Sequence, residues 1–311
     1  MKNVAIIGAN WGDEGKGRTV DRFAQSSKEK TLNIRFSGSN NAGRTVWKDG
    51  QSVVFNLLGA ASFHGIPTYL SQHVCVDLAA LASEIKRFES MTGINPIVYI
   101  DPRCRLILPY DVLKNRIKEV VKGENKHGST GNGLNEAIDR HLHNPIIIGS
   151  ELISSAIGNA YESFIEFVDA SDFTGVDFGA HQKHIDEFMS ARSVSKVYHK
   201  IQEIIDTTEN IIVTTPNLQE YNCIFEGSQG LALDEYSKYF PYVTRSRTGL
   251  TNVIDLCREH NITIDDVYYI SRVYQSRHGE DKFFKESPTF GQFFEVEDLT
   301  NVNNDWQDSL K

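Results

Sequence analysis

Gly8-Ala9-Asn10-Trp11-Gly12-Asp13-Glu14-Gly15-Lys16-Gly17 is the stretch on which the reading of this chain turns. It follows a short apolar run, Val4-Ala5-Ile6-Ile7, that reads as a buried strand, and it opens a segment from Gly15 to about Gln25 that reads as a helix. A strand, a glycine-rich turn and a helix start are the parts of a phosphate cradle. Glycines let backbone N–H groups converge on anionic oxygens, the helix N-terminus adds partial positive charge, and Lys16 adds a full cation. Two positions depart from an ordinary P-loop. Asn10 stands in the first glycine slot, and Gly17 stands where a Ser or Thr hydroxyl would hold Mg²⁺. Asp13 sits inside the loop instead. A carboxylate there repels bare phosphate, so it needs a task of its own, such as binding a metal or accepting a proton. Gly8, Gly12 and Gly15 are spaced too widely for a dinucleotide fingerprint, which sets aside a nicotinamide-dependent dehydrogenase.

Outward from the loop, strands and helices alternate. Thr31 to Phe36, Ser52 to Leu57 and Tyr69 to Val76 read as strands. Asp77 is placed to cap a helix from Leu78 to Ser90 that stops near Gly93. Ile97 to Ile100 is a further strand, and Asp111 to Lys122 a helix with Val112, Leu113, Ile117, Val120 and Val121 along one face. The stretch from about 151 to 210 is mainly helical, with helical spacing from Ile185 to Ile205. Asn222 to Phe225 and Val267 to Val273 return as strands around a helix near Leu250 to His260. This order predicts an α/β fold, a mostly parallel central sheet flanked by helices with the nucleotide site at the first strand–helix turn. With no repeat and no linker, residues 1–311 are expected to form one domain carrying a helical insertion at about 151–210.

The composition narrows the function classes. Hydrophobic residues make up 40% and charged residues 23% of the 311, the mix of a chain with a sizeable core. A net charge of −9 argues against a general basic surface, so no nucleic-acid partner is expected. No window approaches a membrane span, and Met1-Lys2-Asn3-Val4 leads into too short an apolar run for a signal peptide. Cys75, Cys104, Cys223 and Cys257 share no CxxC spacing and read as free thiols of a reducing cytoplasm. His141 and His143 have no accompanying cysteine or carboxylate pattern and do not read as a metal site.

Five blocks carry a resemblance. Trp11-Gly12-Asp13-Glu14-Gly15-Lys16-Gly17 resembles the signature loop of the adenylosuccinate synthetase family. Asn41-Ala42-Gly43-Arg44-Thr45-Val46 resembles its Asn-Ala-Gly-His-Thr segment, and Gly128-Ser129-Thr130-Gly131-Asn132-Gly133 its Gly-Thr-Thr-Gly-Arg-Gly loop. Phe225-Glu226-Gly227-Ser228-Gln229-Gly230 and Phe240-Pro241-Tyr242-Val243-Thr244 resemble two more. The resemblance implies a Mg²⁺-dependent ligase that joins L-aspartate to carbon 6 of a purine nucleoside monophosphate at the expense of a nucleoside triphosphate, in a homodimer. Asp13 is then the general base and a metal ligand, with the Gly43 carbonyl on the same ion. Lys16 and Arg44 complete the catalytic set. Gly12, Glu14, Gly15, Gly17 and Thr45 join them around the triphosphate. Asn10, Asp13, Asn41, Ser129, Thr130, Arg140, Gln229 and Thr244 are implied to hold the monophosphate.

Several departures bear on the substrate. Arg44 stands where cellular members carry a catalytic histidine; an arginine can neutralise phosphate charge but cannot trade protons. The family's arginine from a neighbouring subunit aligns with Asn144, which leaves Arg140 as the nearest candidate. His278-Gly279-Glu280-Asp281-Lys282-Phe283-Phe284 replaces a Val-Gly-Ala-Gly-Pro-Phe-Pro stretch. The tail Thr300-Asn301-Val302-Asn303-Asn304-Asp305-Trp306-Gln307 stands in place of an arginine-rich aspartate loop and is similar to the short bacteriophage branch. That branch converts dGMP to N6-succino-2-amino-2'-deoxyadenylate and accepts ATP or dATP, where cellular members use GTP. Arg247 and Arg277 are candidates for the aspartate carboxylates. IMP remains the alternative substrate, a truncated chain the alternative account of the tail, and a catalytically degenerate nucleotide-binding regulator the alternative of another class.

Overall fold

The computed structural model describes residues 2–27, 30–48, 50–122, 130–143, 145–171, 173–174 and 176–273. Strand β1 (Val4–Gly8) leads through the loop to α1 (Lys16–Ser26) and β2 (Thr31–Arg35). A hairpin follows, β3 (Arg44–Lys48) and β4 (Gln51–Phe55). Next come β5 (Thr68–Leu70), β6 (Cys75–Val76), α2 (Leu78–Thr92), β7 (Val98–Ile100), β8 (Arg105–Leu106), α3 (Pro109–Lys122) and α4 (Leu134–His143). Helices α5 (Ile153–Asp169), α6 (Gln182–Phe188) and α7 (Arg192–Thr207) precede β9 (Ile211–Val213), β10 (Asn222–Glu226), α8 (Thr251–Glu259) and β11 (Asp266–Ile270).

Seven strands make one sheet in the order β11-β1-β10-β2-β5-β7-β9, and every neighbouring pair is parallel. The continuous apolar strands demand this, because both faces of the sheet must be covered. Val4 and Ile6 pack with Val20 and Ala24 of α1 on one face, in a core that continues to α2, α5 and α7. Ala5 and Ile7 pack with Ile34, Phe225 and, from α8, Val253 and Leu256 on the other. Helix α2 starts and stops where its sequence says it should. The Asp77 carboxylate accepts the Ala80 N–H at 3.0 Å, and Gly93 ends the helix at φ 69°.

Several elements differ from the sequence reading, among them β3 and α4, which it did not mark. The run from Tyr69 to Val76 is two strands, since a turn closed by Val74 N–H on the Ser71 carbonyl takes the chain off the sheet after Leu70. The stretch read as a strand from Ser52 to Leu57 lies outside the central sheet, paired antiparallel with β3. Ile185 to Ile205 is divided into α6 and α7 by a tight turn, with Ser193 N–H on the Ser190 carbonyl. Strand β9 is too short for its period to show in sequence, yet it forms an edge of the sheet. Among the described residues no helix is long and apolar enough to cross a membrane.

At the C-terminal end of β7 the chain is tied by one carboxylate. Asp101, fully buried, accepts from Tyr69 Oη at 2.6 Å, Arg103 Nε at 2.8 Å, the Arg103 backbone N–H at 2.9 Å and Thr215 Oγ1 at 3.2 Å. Burial alone would raise its pKa, but the hydrogen bonds from Arg103 and Tyr69 outweigh burial and hold it down to about 2 from the ordinary 3.8. The folded value lies below the unfolded one, so the stabilisation is present above about pH 4 and is lost as pH falls through about 2. Asp101→Asn is expected to lower stability at pH 7 by roughly 1–3 kcal/mol, the cost of weakening a buried charged network. It is also expected to flatten the decline in urea midpoint between about pH 4 and pH 2. A variant whose midpoint declines as steeply as the parent's over that range would refute the assignment.

Candidate active site

The loop after Gly8 lies at the C-terminal edge of the sheet, where open parallel sheets place their crevices. Gly12 (φ 99°), Asp13 (φ 59°) and Gly15 (φ 91°) are all left-handed, a strained conformation for a residue with a Cβ, and Asp13 carries it. Two backbone bonds support the loop from below, Ala9 N–H to the Ile270 carbonyl at 2.8 Å and Ala232 N–H to the Asn10 carbonyl at 2.9 Å. The two adjacent carboxylates have different surroundings. Glu14 turns inward: Oε1 accepts the backbone N–H groups of Asn10 (3.0 Å) and Gly12 (2.8 Å), and Oε2 meets Lys16 Nζ at 2.6 Å. Both side chains of this pair are buried, Lys16 at 5% and Glu14 at 1% exposure. Asp13 is half-buried at the surface of the turn. Lys16 retains two further N–H donors beside the one facing Glu14.

The glycines make this seat possible. A Cβ on Gly8 would stand 2.5 Å from Glu14 Oε2, 2.6 Å from the Gln229 carbonyl oxygen and 2.7 Å from Lys16 Nζ. One on Gly230 would stand 2.6 Å from Glu14 Oε1. Packing also explains the hydroxyl missing at position 17. A Cβ there would lie 3.1 Å from Arg44 Cβ and 3.5 Å from Val46 Cγ2, because β3 passes directly over the first turn of α1.

Further segments converge on the crevice. Gln229 (φ 51°) has its Cα 3.7 Å from where a Gly12 Cβ would be, and its Nε2 donates to Asn41 Oδ1 at 3.4 Å while its buried Oε1 has no partner. The Asn40 carbonyl accepts Asn132 Nδ2 at 3.5 Å, so the residues after Thr130 border the same crevice; Thr130 itself is exposed. Asn10 is tied to Ser271 through Nδ2 at 2.8 Å. Thr244, half-buried, is fixed by its N–H on the Leu233 carbonyl at 2.9 Å. Ser246 Oγ accepts the Gly38 N–H at 2.9 Å and binds the 231–248 segment to the crevice floor. Gly43 is exposed, and Thr45 lies half-buried on the hairpin opposite Val54.

Under the crevice is a block of buried charge that motif reading missed. Arg35 and Glu226 end neighbouring strands and stand directly opposite in register. Arg35 donates to the Asn56 carbonyl at 2.9 Å and to Ser228 Oγ. Arg44 donates to the carbonyls of Asn56 and, at 3.3 Å, Leu58; its Nε lies 2.9 Å from Glu226 Oε1, close enough for an ion pair but out of hydrogen-bond alignment. Glu226 Oε2 accepts the Ala60 N–H at 3.0 Å, and Glu84 accepts those of Asn56 (2.6 Å) and Leu57 (2.8 Å). Burial, then the neighbouring Arg44 charge, lower the Arg35 pKa to about 9, so it is cationic at pH 7. Burial lowers Arg44 too, against the pull of Glu226 and Glu84, while burial raises Glu84. The only sign of this in the sequence is a charged residue at the end of each of two apolar strands.

Two of the expected residues are engaged within the fold. Arg44, expected beside the triphosphate, faces this internal block. Arg140 is committed within its own chain: Nε and a terminal nitrogen grip the Asp111 carboxylate at 2.9 and 2.7 Å, a bond to the Leu106 carbonyl adds 2.7 Å, and the side chain is 8% exposed. Arg247 is a better-placed cation, half-buried over the Tyr236 ring at 4.6 Å, 3.3 Å from Asp234 and bonded to Thr251 Oγ1 at 3.0 Å. Ser129, Asn144, Arg277, the 278–284 stretch and the 300–307 tail lie outside the described residues. The donors that the resemblance assigns to a cation, the Asp13 carboxylate and the Gly43 carbonyl, are oxygens, the donor type that suits Mg²⁺. No cluster of three or more His, Cys, Asp or Glu suited to a metal occurs among the described residues.

The same arrangement of loop and sheet recurs in known proteins. The family model "Adenylosuccinate synthetase" matches residues 5–303. Adenylosuccinate synthetase of Bordetella parapertussis is 30% identical over 248 residues, 79% of this chain and 55% of that protein. The Chromohalobacter salexigens protein of the same name is 30% identical over 291 residues, 91% of this chain and 64% of its own length. This chain therefore spans a little over half of the curated relatives it matches. Among solved structures, the fully ligated Plasmodium falciparum adenylosuccinate synthetase superposes with a TM-score of 0.68 at 21% identity, covering 94% of this chain and 67% of that one. The cyanophage S-2L succinoaminodeoxyadenylate synthetase, bound to dGMP and dATP, superposes with a TM-score of 0.56 at 16% identity, covering 98% and 77%. These two share the fold. With a family model matched along nearly its whole length, the chain belongs to the adenylosuccinate synthetase family.

Proposed function

We propose that this chain is a ligase that couples L-aspartate to C6 of a purine nucleoside monophosphate, driven by a nucleoside triphosphate. The observation that carries the reading is the division of labour in the loop. Glu14 turns inward to Lys16 and the turn's N–H groups, while Asp13 takes a left-handed, half-buried place at the surface of the same anion cradle, where a carboxylate needs a chemical purpose. In the proposed first step Asp13 takes the N1 proton of the base, and the electron pair moves to O6. O6 then attacks the γ-phosphorus and releases the nucleoside diphosphate. In the second, the aspartate amine attacks C6, inorganic phosphate leaves with O6, and the amine loses a proton. Loop N–H groups and Lys16 bind the transferring phosphoryl group. A Mg²⁺ ion held by Asp13 and the Gly43 carbonyl would offset charge on the phosphates. Asn41, Thr130, Gln229 and Thr244 line the side assigned to the monophosphate. Arg247 and Arg277 are assigned to the aspartate carboxylates, and the active form is taken to be a homodimer.

The favoured monophosphate is dGMP. Guanine offers the same N1–H and C6=O as hypoxanthine, and the fold-sharing cyanophage enzyme binds dGMP and dATP. The curated relatives at about 30% identity, all adenylosuccinate synthetases, support IMP as the second reading. Phosphate release with L-aspartate and Mg²⁺, crossing dGMP and IMP with ATP, dATP and GTP, separates them. Turnover with dGMP alone is the expected result, and turnover with IMP alone would overturn the substrate assignment. Silence in every pair would favour a nucleotide-binding protein without turnover.

Three variants test the site, and a fourth, on α5, serves as a control. Asp13→Asn should cut kcat by about 10²–10⁴, the usual worth of a positioned base, as read by phosphate release. Gly8→Ala should destabilise the protein by about 1–3 kcal/mol and abolish the rise in Tm that a bound triphosphate produces. Gly158→Ala, on α5 with nothing within 4 Å of the new methyl, should instead raise stability by up to about 1 kcal/mol. Arg247→Glu should raise the aspartate KM by about tenfold or more, the worth of a charged hydrogen bond; an unchanged KM removes Arg247 from that role.

A further inference from the structure

We propose that Arg44 is a positioning residue: locked to Glu226 beneath the crevice, it fixes the Asn41-Ala42-Gly43 turn against the first turn of α1 and does not itself neutralise phosphate charge. The inference rests on the reading of the loop as a triphosphate site and assigns a part within it.

The guanidinium is already engaged. One terminal nitrogen serves the carbonyls of Asn56 and Leu58, the other lies 3.5 Å from the Ala42 carbonyl, and Nε is 2.9 Å from Glu226. The side chain is 4% exposed and its carboxylate partner is fully buried. Swinging out to a phosphate would take from Glu226 its 2.9 Å ion-pair partner and leave it in the core with the Ala60 N–H and the Arg35 charge across the strand. Removing one partner of a buried pair is among the more expensive changes a fold can undergo. Two arginines and two carboxylates, Arg35, Arg44, Glu84 and Glu226, balance as a unit, and the unit holds only while all four stay.

Its position tells what it does. Arg44 follows Gly43 directly, and its Cβ lies 3.1 Å from the point where a Gly17 Cβ would stand. The block thus ties three things at one place: the start of β3, the 56–60 segment and the end of β10. Any shift of Arg44 moves the Gly43 carbonyl relative to the cradle. Only a planar fork with five donors can span Glu226 and two carbonyls at once, and a lysine ammonium or an imidazole cannot.

The test compares Arg44→Lys, Arg44→Met, Glu226→Gln and the double variant Arg44→Met with Glu226→Gln. Steady-state kinetics are read for each substrate, with ATP·Mg²⁺ binding by calorimetry and Tm in parallel. Arg44→Lys is expected to fail as badly as Arg44→Met, each losing about 100-fold in kcat/KM for the triphosphate, as a displacement of about 1 Å costs. Glu226→Gln should show the same defect, with the double variant no worse than the poorer single one. The triphosphate KM should rise while the aspartate KM stays; loss of folded protein would lower kcat and leave every KM in place. Near-normal activity in Arg44→Lys, an unaffected Glu226→Gln, or losses that multiply in the double variant would each overturn the proposal. Should the variants not fold, a crystal structure of the parent with Mg²⁺ and a non-hydrolysable triphosphate decides: a guanidinium still on Glu226 supports it, and one bonded to a phosphate oxygen refutes it. A parent protein that binds no triphosphate would defeat the underlying reading instead.

Discussion

The buried pair of Glu14 and Lys16 is the constraint on which the crevice depends. An ion pair taken out of water loses more solvation than its mutual attraction restores unless other hydrogen bonds complete it. Here the second carboxylate oxygen accepts two backbone N–H groups, from Asn10 and Gly12, so the turn wraps around its own anion. The loop is thereby held in shape before any ligand arrives. The requirement reaches into the sheet, because the pair fits only where two glycines meet, Gly8 at the end of β1 and Gly230 just beyond β10. Those strands lie far apart in sequence, and parallel pairing of β1 with β10 is what brings the glycines together.

The insertion of β10 between β1 and β2 has a second consequence. Register sets Glu226 opposite Arg35 on one side and Ile6 on the other, which places a carboxylate at the centre of the sheet's C-terminal edge. That carboxylate draws Arg44 inward from the hairpin, and the hairpin then lies over α1 closely enough to crowd a side chain at position 17. The absent P-loop hydroxyl and the buried arginine are two results of one packing decision. An ordinary P-loop offers its hydroxyl to the metal from the helix; here the space for it is taken by β3.

How much of this could be read from the sequence follows from the range of each interaction. Val4 to Ile7, the loop and the Asp77-capped helix are local, with apolar period, glycine placement and cap within a dozen residues, and they stand where reading puts them. The break after Leu70 and the division between α6 and α7 were not legible, because polar turns at Ser71 and Ser190 compete with apolar runs that read as continuous. The site divides in the same way. Asp13, Glu14 and Lys16 announce themselves by spacing, whereas the partners of Arg35, Arg44 and Arg140 are set by register and tertiary packing. An arginine beside a motif looks available in a sequence; only the fold shows that Glu226 or Asp111 already holds it.

That pattern extends around the crevice. Lys16 comes with Glu14, Arg140 with Asp111, Arg245 with Asp139 and Arg247 with Asp234, so each of these cations has its own carboxylate. A net charge of −9 over the chain gives it no general attraction for anions. Recognition must come from short-range, directional groups: the backbone N–H groups of the turn, the start of α1 and the donors Lys16 keeps beyond Glu14. Such groups act over a few ångströms and reward correct placement far more than charge. This is why the protein commits buried ion pairs, at real desolvation cost, to holding the turn, the hairpin and the 231–248 segment in one arrangement.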